Sequence, residues 1–427
     1  MSPMENTLPS PASGPAFGNV HECYDCGLLN RLVAPVAGME MLCVRCGNRL
    51  RHVRENSVRN GLAWTVAAML FYIISMAAPM IRFSVYNEFR IGWVGSGPVT
   101  LDDQGYAFLA SVVFLTTVVA AFLKISGTFV VLWCLAKERK PRWLGWLYAA
   151  LQHLKPWVMV EVYLLGFLVA YSRLMATGHV EVTAAVAGLG GLMFSMVAME
   201  AAIDNEAIWE KIKKRRALDL SRHEVLMGCD TCYQVVALGH ETHCPRCGDR
   251  LHHRKPDSMA RAWALTIAAA LLYIPSNIYP VMSIMKVGRV TSYTIFGGLQ
   301  ELWHVGLWPL AILVFIASIA IPMFKLVMMA YMLVETRRGS AKGLRNRTCL
   351  YRVLDFIGRW SMVDIFVVSI LVAMVRFGWL SQITADVGGI YFAGVVLLTL
   401  LAVKSFDPRL MWDAAGAHPD NSVKRQA

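Results

Sequence analysis

The sequence contains few charged residues and lacks the short motifs that identify many membrane motors and hydrolases. Charged residues make up 16% of the 427 residues, whereas hydrophobic residues make up 56%. No GxxxxGKS or GxxxxGKT phosphate loop is present, which excludes an ATP-driven motor of that class. No GxSxG or HExxH motif is present either, so hydrolysis would have no recognisable nucleophile or catalytic metal. Paired histidines are absent from the apolar segments, which argues against a haem-dependent redox enzyme.

The sequence instead contains apolar segments that are long enough to cross a bilayer as helices. Its mean hydropathy is +0.48, far above the range of soluble proteins. A helix needs about 20 apolar residues to cross the hydrocarbon core. Runs of this kind predict eight spans, at roughly 61–80, 105–135, 156–176, 183–203, 260–281, 305–335, 360–380 and 387–405. Two of them are too long for perpendicular spans, so we expect them to tilt or to extend beyond the membrane.

Eight of the ten cysteines form two clusters of paired CxxC motifs. The first cluster is Cys23, Cys26, Cys43 and Cys46, and the second is Cys229, Cys232, Cys244 and Cys247. Two facing CxxC knuckles supply the four thiolates of a zinc ribbon, so we predict one zinc ion in each cluster. A site closed by four cysteines has no open coordination position, which indicates a structural role. The alternative, a thioredoxin-like redox pair, is weakened because no βαβ pattern lies nearby.

The positive charges are distributed unevenly along the chain. The net charge is +12, and 33 of the 41 Lys and Arg residues lie in segments that share one side of the membrane if the N-terminus is inside. By the positive-inside rule that side is the cytoplasm, where thiols stay reduced, and we expect both termini and both cysteine clusters there. Residues 1–20 contain no apolar stretch, which agrees with this orientation. The basic charge is therefore a topology signal, and we expect no nucleic-acid partner.

The chain is a tandem duplication. Residues 157–163 align with residues 360–366 at an offset of 203, and residues 122–124 align with residues 323–325 at an offset of 201. We predict a mostly α-helical polytopic membrane protein with two tandem repeats, each a cytosolic zinc ribbon followed by about four transmembrane helices. The predicted boundaries are a disordered tail at 1–20, ribbon 1 at 21–55, membrane domain 1 at 56–203, a basic linker at 204–227, ribbon 2 at 228–255, membrane domain 2 at 256–405 and a cytosolic tail at 406–427.

Four ionisable side chains lie within predicted spans, where charge is costly and therefore informative. Lys124 and Lys325 occupy the second span of each repeat, and Glu161 and Asp364 occupy the third. A long lysine stem can bridge the difference in depth, so we expect an acid–lysine contact within each repeat. Such a contact is compatible with an ion pair that only pins two helices as well as with a proton relay.

Polar groups are more frequent near the charges of the second repeat. They are Ser276, Asn277, Ser318, Ser361 and Thr399, and the aligned first-repeat residues are Ser75, Met76, Thr117, Val158 and Met196. We also expect Pro275, Pro280 and Pro322 to break the helices of this repeat. A polar cluster beside broken helices is what a proton relay or a lipid headgroup site requires.

We therefore predict that the second repeat carries the transport site and that the first repeat is mainly a scaffold. The predicted transport or proton-relay residues are Lys325, Asp364, Ser318, Ser361, Thr399 and Asn277, with Lys124 and Glu161 as weaker counterparts. No residue is predicted to be catalytic. Arg173 and Arg376 align at the external ends of the third spans, and this position suits a lipid phosphate, an external partner or an ordinary interfacial arginine.

Three features of the sequence resemble the paraquat-inducible protein A family over about residues 20–413. They are the stretch GRWSMVDIFVV at 358–368, the closing stretch FDPRLMWD at 406–413, and the duplicated CxxC ribbons. The resemblance implies an inner-membrane protein of double-membraned bacteria that works with a periplasmic tunnel partner built from MCE domains. It also implies that the pair moves phospholipid between membranes, and that Lys325, Asp364, Ser318, Ser361 and Thr399 matter for this function.

We thus expect a transporter subunit and not an enzyme, located in the bacterial inner membrane with its ribbons and both termini in the cytoplasm. It would exchange phospholipid between the inner membrane and the MCE tunnel, with Asp364 and Lys325 changing protonation or pairing to couple transport to the proton gradient. The alternative is a membrane-anchored assembly or sensor protein whose zinc ribbons bind a cytosolic partner. That alternative predicts that substitutions on the ribbon surface matter more than substitutions within the membrane.

Overall fold

The structure of the protein, a computed structural model, describes residues 20–416 apart from 32–35, 86–87, 176–177, 217–225, 238–241, 287–288, 305, 307 and 376–380. The predicted N-terminal tail up to residue 19, the end of the predicted C-terminal tail and Arg376 lie outside the described residues. The described part is mostly helical, and its short strands lie beyond the ends of the apolar helices.

The helices follow one another in the same order in the two halves. Those of the first half are α1 (Ser57–Ala77), α2 (Ser96–Asp103), α3 (Ala107–Phe114), α4 (Ala120–Ala136), α5 (Leu144–Leu154), α6 (Val160–Met175), α7 (Ala184–Ala202) and α8 (Asn205–Ile212). Those of the second half are α9 (Ser258–Ile278), α10 (Ile295–His304), α11 (Trp308–Phe315), α12 (Ile321–Arg337), α13 (Leu344–Trp360), α14 (Val363–Met374), α15 (Val387–Ser405) and α16 (Arg409–Ala414).

Eight helical segments of the described chain are long and apolar enough to cross a membrane, as the sequence predicts. They are Ser57–Ala77, Ala107–Ala136, Leu144–Met175, Ala184–Ala202, Ser258–Ile278, Trp308–Arg337, Leu344–Met374 and Val387–Ser405. The duplicated order of these spans confirms the mostly α-helical, two-repeat architecture.

The strands are short and form antiparallel sheets at both ends of the spans. They are β1 (Val20–Glu22), β2 (Leu29–Arg31), β3 (Glu40–Leu42), β4 (Arg49–His52), β5 (Ile81–Val85), β6 (Glu88–Gly92), β7 (His179–Val182), β8 (Leu226–Gly228), β9 (Val235–Ala237), β10 (Met282–Lys286), β11 (Arg289–Tyr293) and β12 (Ser381–Ala385). The ribbons contain the two-stranded sheets β1-β2, β3-β4 and β8-β9, and the three-stranded sheets at the opposite ends of the spans have the orders β6-β5-β7 and β11-β10-β12. Each three-stranded sheet joins the hairpin after the first span to the connection before the fourth, and sequence reasoning treated both segments as loops.

The long second span of each half contains a π-helical turn at the aligned positions Leu115–Val119 and Ile316–Ala320. In the second half the Ile321 N–H reaches back to the Ile316 carbonyl, a π-type hydrogen bond. The helix therefore continues through Pro322, and α9 continues past Pro275 to Ile278. The expectation that Pro275 and Pro322 break their helices is wrong, because the wider turn accommodates Pro322 and α9 ends one turn after Pro275. Only Pro280 lies beyond a helix end.

Each ribbon packs against the membrane helices of the other half. The cysteines of ribbon 1 share an apolar cluster with Met332 of α12 and Tyr351 of α13. The cysteines of ribbon 2 share a separate cluster with Leu132 of α4 and Tyr148 of α5. The ribbons are thus exchanged between the halves, an arrangement that sequence analysis did not predict.

The third-span helices α6 and α14 pack against each other at the centre of the largest apolar cluster. Tyr163 of α6 makes an edge contact with Phe366 of α14, with ring centroids 5.6 Å apart. The two helices approach closely because Gly166 has no side chain, and a Cβ there would lie 3.0 Å from the Cβ of Phe366. The acidic residue near the start of each helix is thereby placed at the interface between the halves.

The two halves differ in how tightly the long second span packs. In the first half α2 lies against α14, and a Cβ on Gly97 would lie 2.3 Å from the Ser369 hydroxyl. The aligned glycine of α10, Gly298, meets no other heavy atom within 4 Å, and α10 contains no buried residue. The apolar window of Ala107–Ala136 is 50% buried, against 28% for that of Trp308–Arg337. This difference leaves open space beside α14 in the second half.

Candidate functional site

The eight cysteines of the CxxC motifs form two buried clusters. In each cluster the four sulfur atoms lie within 4.8 Å of one another. The closest pairs are Cys23–Cys46 and Cys26–Cys43 at 3.5 Å, Cys229–Cys247 at 3.5 Å and Cys232–Cys244 at 3.4 Å. Metal–sulfur bonds of about 2.3 Å in a tetrahedron would hold the sulfurs about 3.8 Å apart. Each cluster therefore fits one tetrahedral metal ion.

The four knuckles share one backbone geometry. The residue after the second cysteine of each knuckle donates its N–H to the carbonyl of the first cysteine and has positive φ. Three of these residues are Gly27, Gly47 and Gly248, as the sequence pattern suggests. The fourth is Tyr233 at φ 60°, a conformation that a non-glycine residue rarely adopts. The ring of Tyr233 stacks on His21 of ribbon 1 with centroids 4.8 Å apart, so this strained position lies in the contact between the ribbons.

Helix α13 supports the sulfurs of ribbon 1 directly. Arg352 donates to the Cys46 sulfur and to the Cys46 carbonyl, both at 3.3 Å, and forms an ion pair with Asp25 at 2.5 Å. On the other side, the Asn30 amide donates to the Cys43 sulfur at 3.6 Å. Donors around thiolate ligands reduce their negative charge and fix their orientation. The metal site of ribbon 1 is therefore coupled to the helix that leads into α14.

A buried charged cluster joins both ribbons to α16. Arg409 contacts Asp407 at 3.0 Å, Glu22 of ribbon 1 at 3.4 Å and Asp230 of ribbon 2 at 3.3 Å. Burial opposes ionisation of Asp407, but the charge and hydrogen bonds of Arg409 lower the pKa of this carboxyl below its usual value. The closing FDPRLMWD stretch therefore anchors both ribbons at one point.

A cavity of the membrane region extends inward from the sheet β11-β10-β12 to Asp364, and it is called the polar cavity here because Arg173 and Asp364 line it among mainly apolar residues. It has a volume of about 60 Å³, which is room for a few water-sized groups. Its outer wall includes Met282 and Tyr293 of the sheet, and its inner wall includes Ser318 of the π-helical turn and Asp364 of α14. Arg173 of α6 also lines it, so both halves contribute a charged group to one cavity.

An apolar cavity lies next to the polar one and shares Val314 and Asp364 with it. Its volume is about 260 Å³. Its other lining residues come from both halves and are Leu165, Val169, Leu313, Ile316, Ala317, Ile321, Phe356, Ile357, Trp360 and Val363. Because Phe356 is 57% exposed and Ile316 is 45% exposed, this cavity opens toward the apolar surface of the protein. Asp364 thus lies at the junction of a polar and an apolar cavity.

Asp364 has an incomplete set of partners. The Ser318 hydroxyl is close enough to interact with its carboxylate, and Arg173 acts on it electrostatically. Within the described residues, the Oδ2 atom of Asp364 is buried and has no hydrogen-bond partner. The Nε atom of Arg173 is also buried and has no hydrogen-bond partner among the described residues. Two opposite charges therefore face one cavity without forming an ion pair.

The other predicted transport residues are not gathered at this cavity. Lys325 and Ser361 are fully buried, and neither the Lys325 Nζ nor the Ser361 hydroxyl has a hydrogen-bond partner among the described residues. Thr399 donates to the Val396 carbonyl at 3.0 Å, and Asn277 donates to the Tyr273 carbonyl at 2.8 Å. Each of these last two bonds lies within a single helix. The structure thus brings together Asp364 and Ser318 from the predicted set.

The expected acid–lysine contacts are wrong within the described part of the chain. Lys124 donates to the Leu151 carbonyl at 3.4 Å, and Lys325 makes no ion pair. Glu161 instead pairs with Arg359 of the second half at 3.4 Å. The reason is that α6 and α14 face each other across the interface between the halves. Glu161 therefore pairs with a group of the opposite half, whereas Asp364 lies beside Ser318 of its own half and faces Arg173 of the opposite half across the cavity.

Sequence reasoning missed the position of Arg173 beside Asp364. The sequence contained a signal, since Arg173 is an ionisable residue at the end of a span and recurs at the offset of the repeat. Its partner could not be found from sequence because it belongs to the other half. The aligned Arg376 lies outside the described residues.

The relatives found by comparison with known proteins align with nearly the whole chain. A family model described as paraquat-inducible protein A matches residues 58–213 and again residues 259–416. The chain is 29% identical over 403 residues to the intermembrane transport protein PqiA of Escherichia coli, covering 92% of this chain and 95% of that protein. It is 29% identical over 407 residues to the lipophilic envelope-spanning tunnel protein A of Escherichia coli, covering 93% and 92%. It is 24% identical over 412 residues to a probable intermembrane transport protein of Haemophilus influenzae, covering 94% and 97%. No solved structure matches the chain significantly.

Proposed function

The chain belongs to the paraquat-inducible protein A family, and from this premise we propose that it moves phospholipid between membranes as a transporter. Two of its relatives are named as transport proteins, and the name of a third refers to a tunnel that spans the envelope. The observation that carries the proposal is the junction at Asp364, where a polar cavity meets a larger apolar one. A phospholipid has the same division, because a polar headgroup is joined to apolar chains.

The position of the polar cavity supports delivery toward the external side. Its outer wall is formed by the sheet β11-β10-β12, and its inner end lies between the spanning helices. In our proposal the protein lies in the bacterial inner membrane with the ribbons and termini in the cytoplasm, because the positive charges accumulate on the ribbon side. The external sheets would then face the periplasm.

An MCE-domain tunnel protein is the proposed partner on the external face. The first external sheet and its following turn expose the apolar side chains Phe89, Ile91 and Trp93, which are 69%, 41% and 44% accessible. Exposed apolar groups clustered on one face are typical of protein interaction sites. Site-specific photo-cross-linking from Phe89 and from the ribbon residue Val44 compares the two faces. The proposal predicts a periplasmic partner at Phe89 only.

Both metal sites are proposed to hold structural zinc. Four thiolates in tetrahedral geometry favour zinc, and a closed set of ligands leaves no position for a substrate. Each cysteine cluster is buried among membrane-helix side chains of the other half. Zinc would then stabilise the contact between each ribbon and the membrane region.

Proton coupling through Asp364 and Lys325 is the proposed energy source. The Lys325 side chain is buried in the membrane region, and Asp364 is partly buried with its Oδ2 atom fully buried. Each residue has an unpaired polar atom among the described residues. A carboxylate and an amine in such surroundings can change protonation without breaking an existing ion pair. The proposed role of Ser318 is to orient the carboxylate, whereas Ser361, Thr399 and Asn277 form no hydrogen bond to it in the described part of the chain.

The test is transport of a labelled phospholipid by the reconstituted protein with its partner, or rescue of an envelope defect in cells. Asp364→Asn should abolish activity while the protein level and the metal content stay unchanged. The matched variant Glu161→Gln changes the aligned acid, which is satisfied by Arg359, and should retain most activity. Full activity of Asp364→Asn would refute the proton relay. Loss of activity only in ribbon-surface variants would favour the sensor or assembly alternative.

A further inference from the structure

Arg173 and Asp364 form a pair of opposite charges that is held apart. They line the same cavity and interact electrostatically, but no ion-pair contact joins them. Each has a buried polar atom, Nε of Arg173 and Oδ2 of Asp364, that lacks a hydrogen-bond partner among the described residues. Buried polar atoms without partners are uncommon and call for an explanation. A ligand that supplies both partners would account for both atoms at once.

In the first half, the aligned acid forms an ion pair with an arginine of the protein and therefore needs no ligand. Glu161, aligned with Asp364 at an offset of 203, pairs with Arg359. The residue aligned with Arg359 in the first half is Pro156, which carries no charge. The ion pair that neutralises Glu161 across the interface between the halves therefore has no equivalent at Asp364. Asp364 therefore lacks the cationic partner that Glu161 has, and a ligand would have to supply it.

We propose that this cavity binds the headgroup of a zwitterionic phospholipid, with the phosphate on Arg173 and a primary ammonium on Asp364. The inference rests on the proposed lipid-transport function and names the class of lipid. The planar guanidinium donates two parallel hydrogen bonds to phosphate oxygens, and a carboxylate accepts from an ammonium. The hydroxyls of Ser318 and Thr294 line the same space and provide further hydrogen bonds.

The shape of the cavity agrees with this assignment. Gly298 and Gly389 lie in its wall, and a Cβ on Gly298 would meet no other heavy atom within 4 Å. In the closed first half, the aligned Gly97 is packed directly against Ser369. The space beside Gly298 therefore exists only in the half that holds the unpaired carboxylate. A lipid entering from the external side would meet Arg173 before it reaches Asp364, since Arg173 lies in the last turn of α6 and Asp364 in the first turn of α14.

The test measures which phospholipids the purified full-length protein retains from vesicles that contain equal amounts of phosphatidylethanolamine and phosphatidylglycerol with the same acyl chains. Wild-type protein should retain phosphatidylethanolamine in excess. Asp364→Asn should retain phospholipid but lose about 10- to 100-fold of the preference, the range expected for one buried charge-assisted contact. Arg173→Gln should retain at least tenfold less of both lipids. Glu200→Gln changes an acid that pairs with Lys155 at 3.0 Å and lines neither cavity, so this control variant should behave as wild type.

The outcomes separate this inference from the proposed function. Retention of both lipids by wild type in the vesicle ratio, with no change in Asp364→Asn, would overturn the headgroup assignment and leave lipid transport standing. No retained phospholipid in wild type would overturn both. A second measurement uses wild type alone and so does not depend on the folding of a variant. Glycerophosphoethanolamine should displace a bound fluorescent phospholipid at lower concentration than glycerophosphoglycerol, and equal potency would contradict the inference.

Discussion

Replacing Arg409 with alanine tests the charged cluster that joins the two ribbons. The Arg409 side chain is 2% exposed, and its partners Asp407 and Glu22 are 1% and 6% exposed. Removing one partner of such a buried pair leaves an uncompensated charge and costs about 3–5 kcal/mol. The contact with Asp230 adds little, because that carboxylate is 40% exposed. At about 1.4 kcal/mol per tenfold, the opened population of the ribbons should rise by about two to three and a half orders of magnitude.

Limited proteolysis of the purified protein measures this population, because cleavage follows the open form when closing is fast. The matched control is Arg49→Ala in ribbon 1, since Arg49 pairs with Glu40 at 3.4 Å but the two side chains are 64% and 46% exposed. That exposed pair contributes at most about 1 kcal/mol, so its loss should change cleavage by less than about fivefold. Equal cleavage rates for the two variants would refute the reasoning.

The pH dependence gives an independent check on the same cluster. In the wild type the lowered pKa of Asp407 contributes stability above the usual carboxyl pKa of about 4, and this contribution is lost as the pH falls through the lowered value. In Arg409→Ala the backbone N–H donors of residues 255 and 409 remain, but the guanidinium that opposes the effect of burial is lost. The pKa of Asp407 therefore rises, and protonation relieves part of the penalty. The difference in cleavage between variant and wild type should therefore be largest at neutral pH and narrow toward pH 4. A constant difference would show that Asp407 does not contribute.

Three further predictions use pairs of aligned residues or the metal sites. Gly97→Ala should destabilise the protein by about 1–3 kcal/mol because its Cβ would overlap Ser369, whereas Gly298→Ala should not, as thermal melting of the two variants will show. Ser318→Ala should slow lipid transport because its hydroxyl faces Asp364, whereas Thr117→Ala should have little effect because that hydroxyl donates to its own helix; equal rates would contradict this. Elemental analysis should find two zinc ions per chain, and a strong chelator should increase proteolysis of both ribbons; a zinc-free protein with protected ribbons would argue against a structural metal.

The features that the sequence predicts well are those with local signals. Span length and apolar composition identified the eight helical segments, and the spacing of Cys43 and Cys46 and of the other CxxC pairs identified both metal sites. The glycines after three knuckles indicated positive φ, and Tyr233 shows that the same knuckle turn also forms with another residue at this position. The external strands were missed because they are five residues long or shorter and adjoin the spans directly.

The features that the sequence did not predict are contacts between the halves. Asp364 and Ser318 are two members of the predicted polar cluster, and they line one cavity, whereas Thr399 and Asn277 bond within their own helices. The lysines were assigned to the wrong partners, since sequence spacing fixes depth within a span but not the direction in which a helix faces. Arg359 pairs with Glu161 of the opposite half, and Arg173 lines the cavity that contains Asp364. These contacts cannot be found by considering one repeat alone.

The exchange of the ribbons has a consequence for the origin of the chain. In a single repeat with this geometry, the ribbon would have no helices to pack against, because the helices that it contacts belong to the other repeat. The ancestral unit would therefore have been a homodimer in which two identical copies traded their N-terminal domains. Fusion of the copies into one polypeptide removed the requirement for symmetry. One half was then free to close around α2, and the other was free to keep an open cavity.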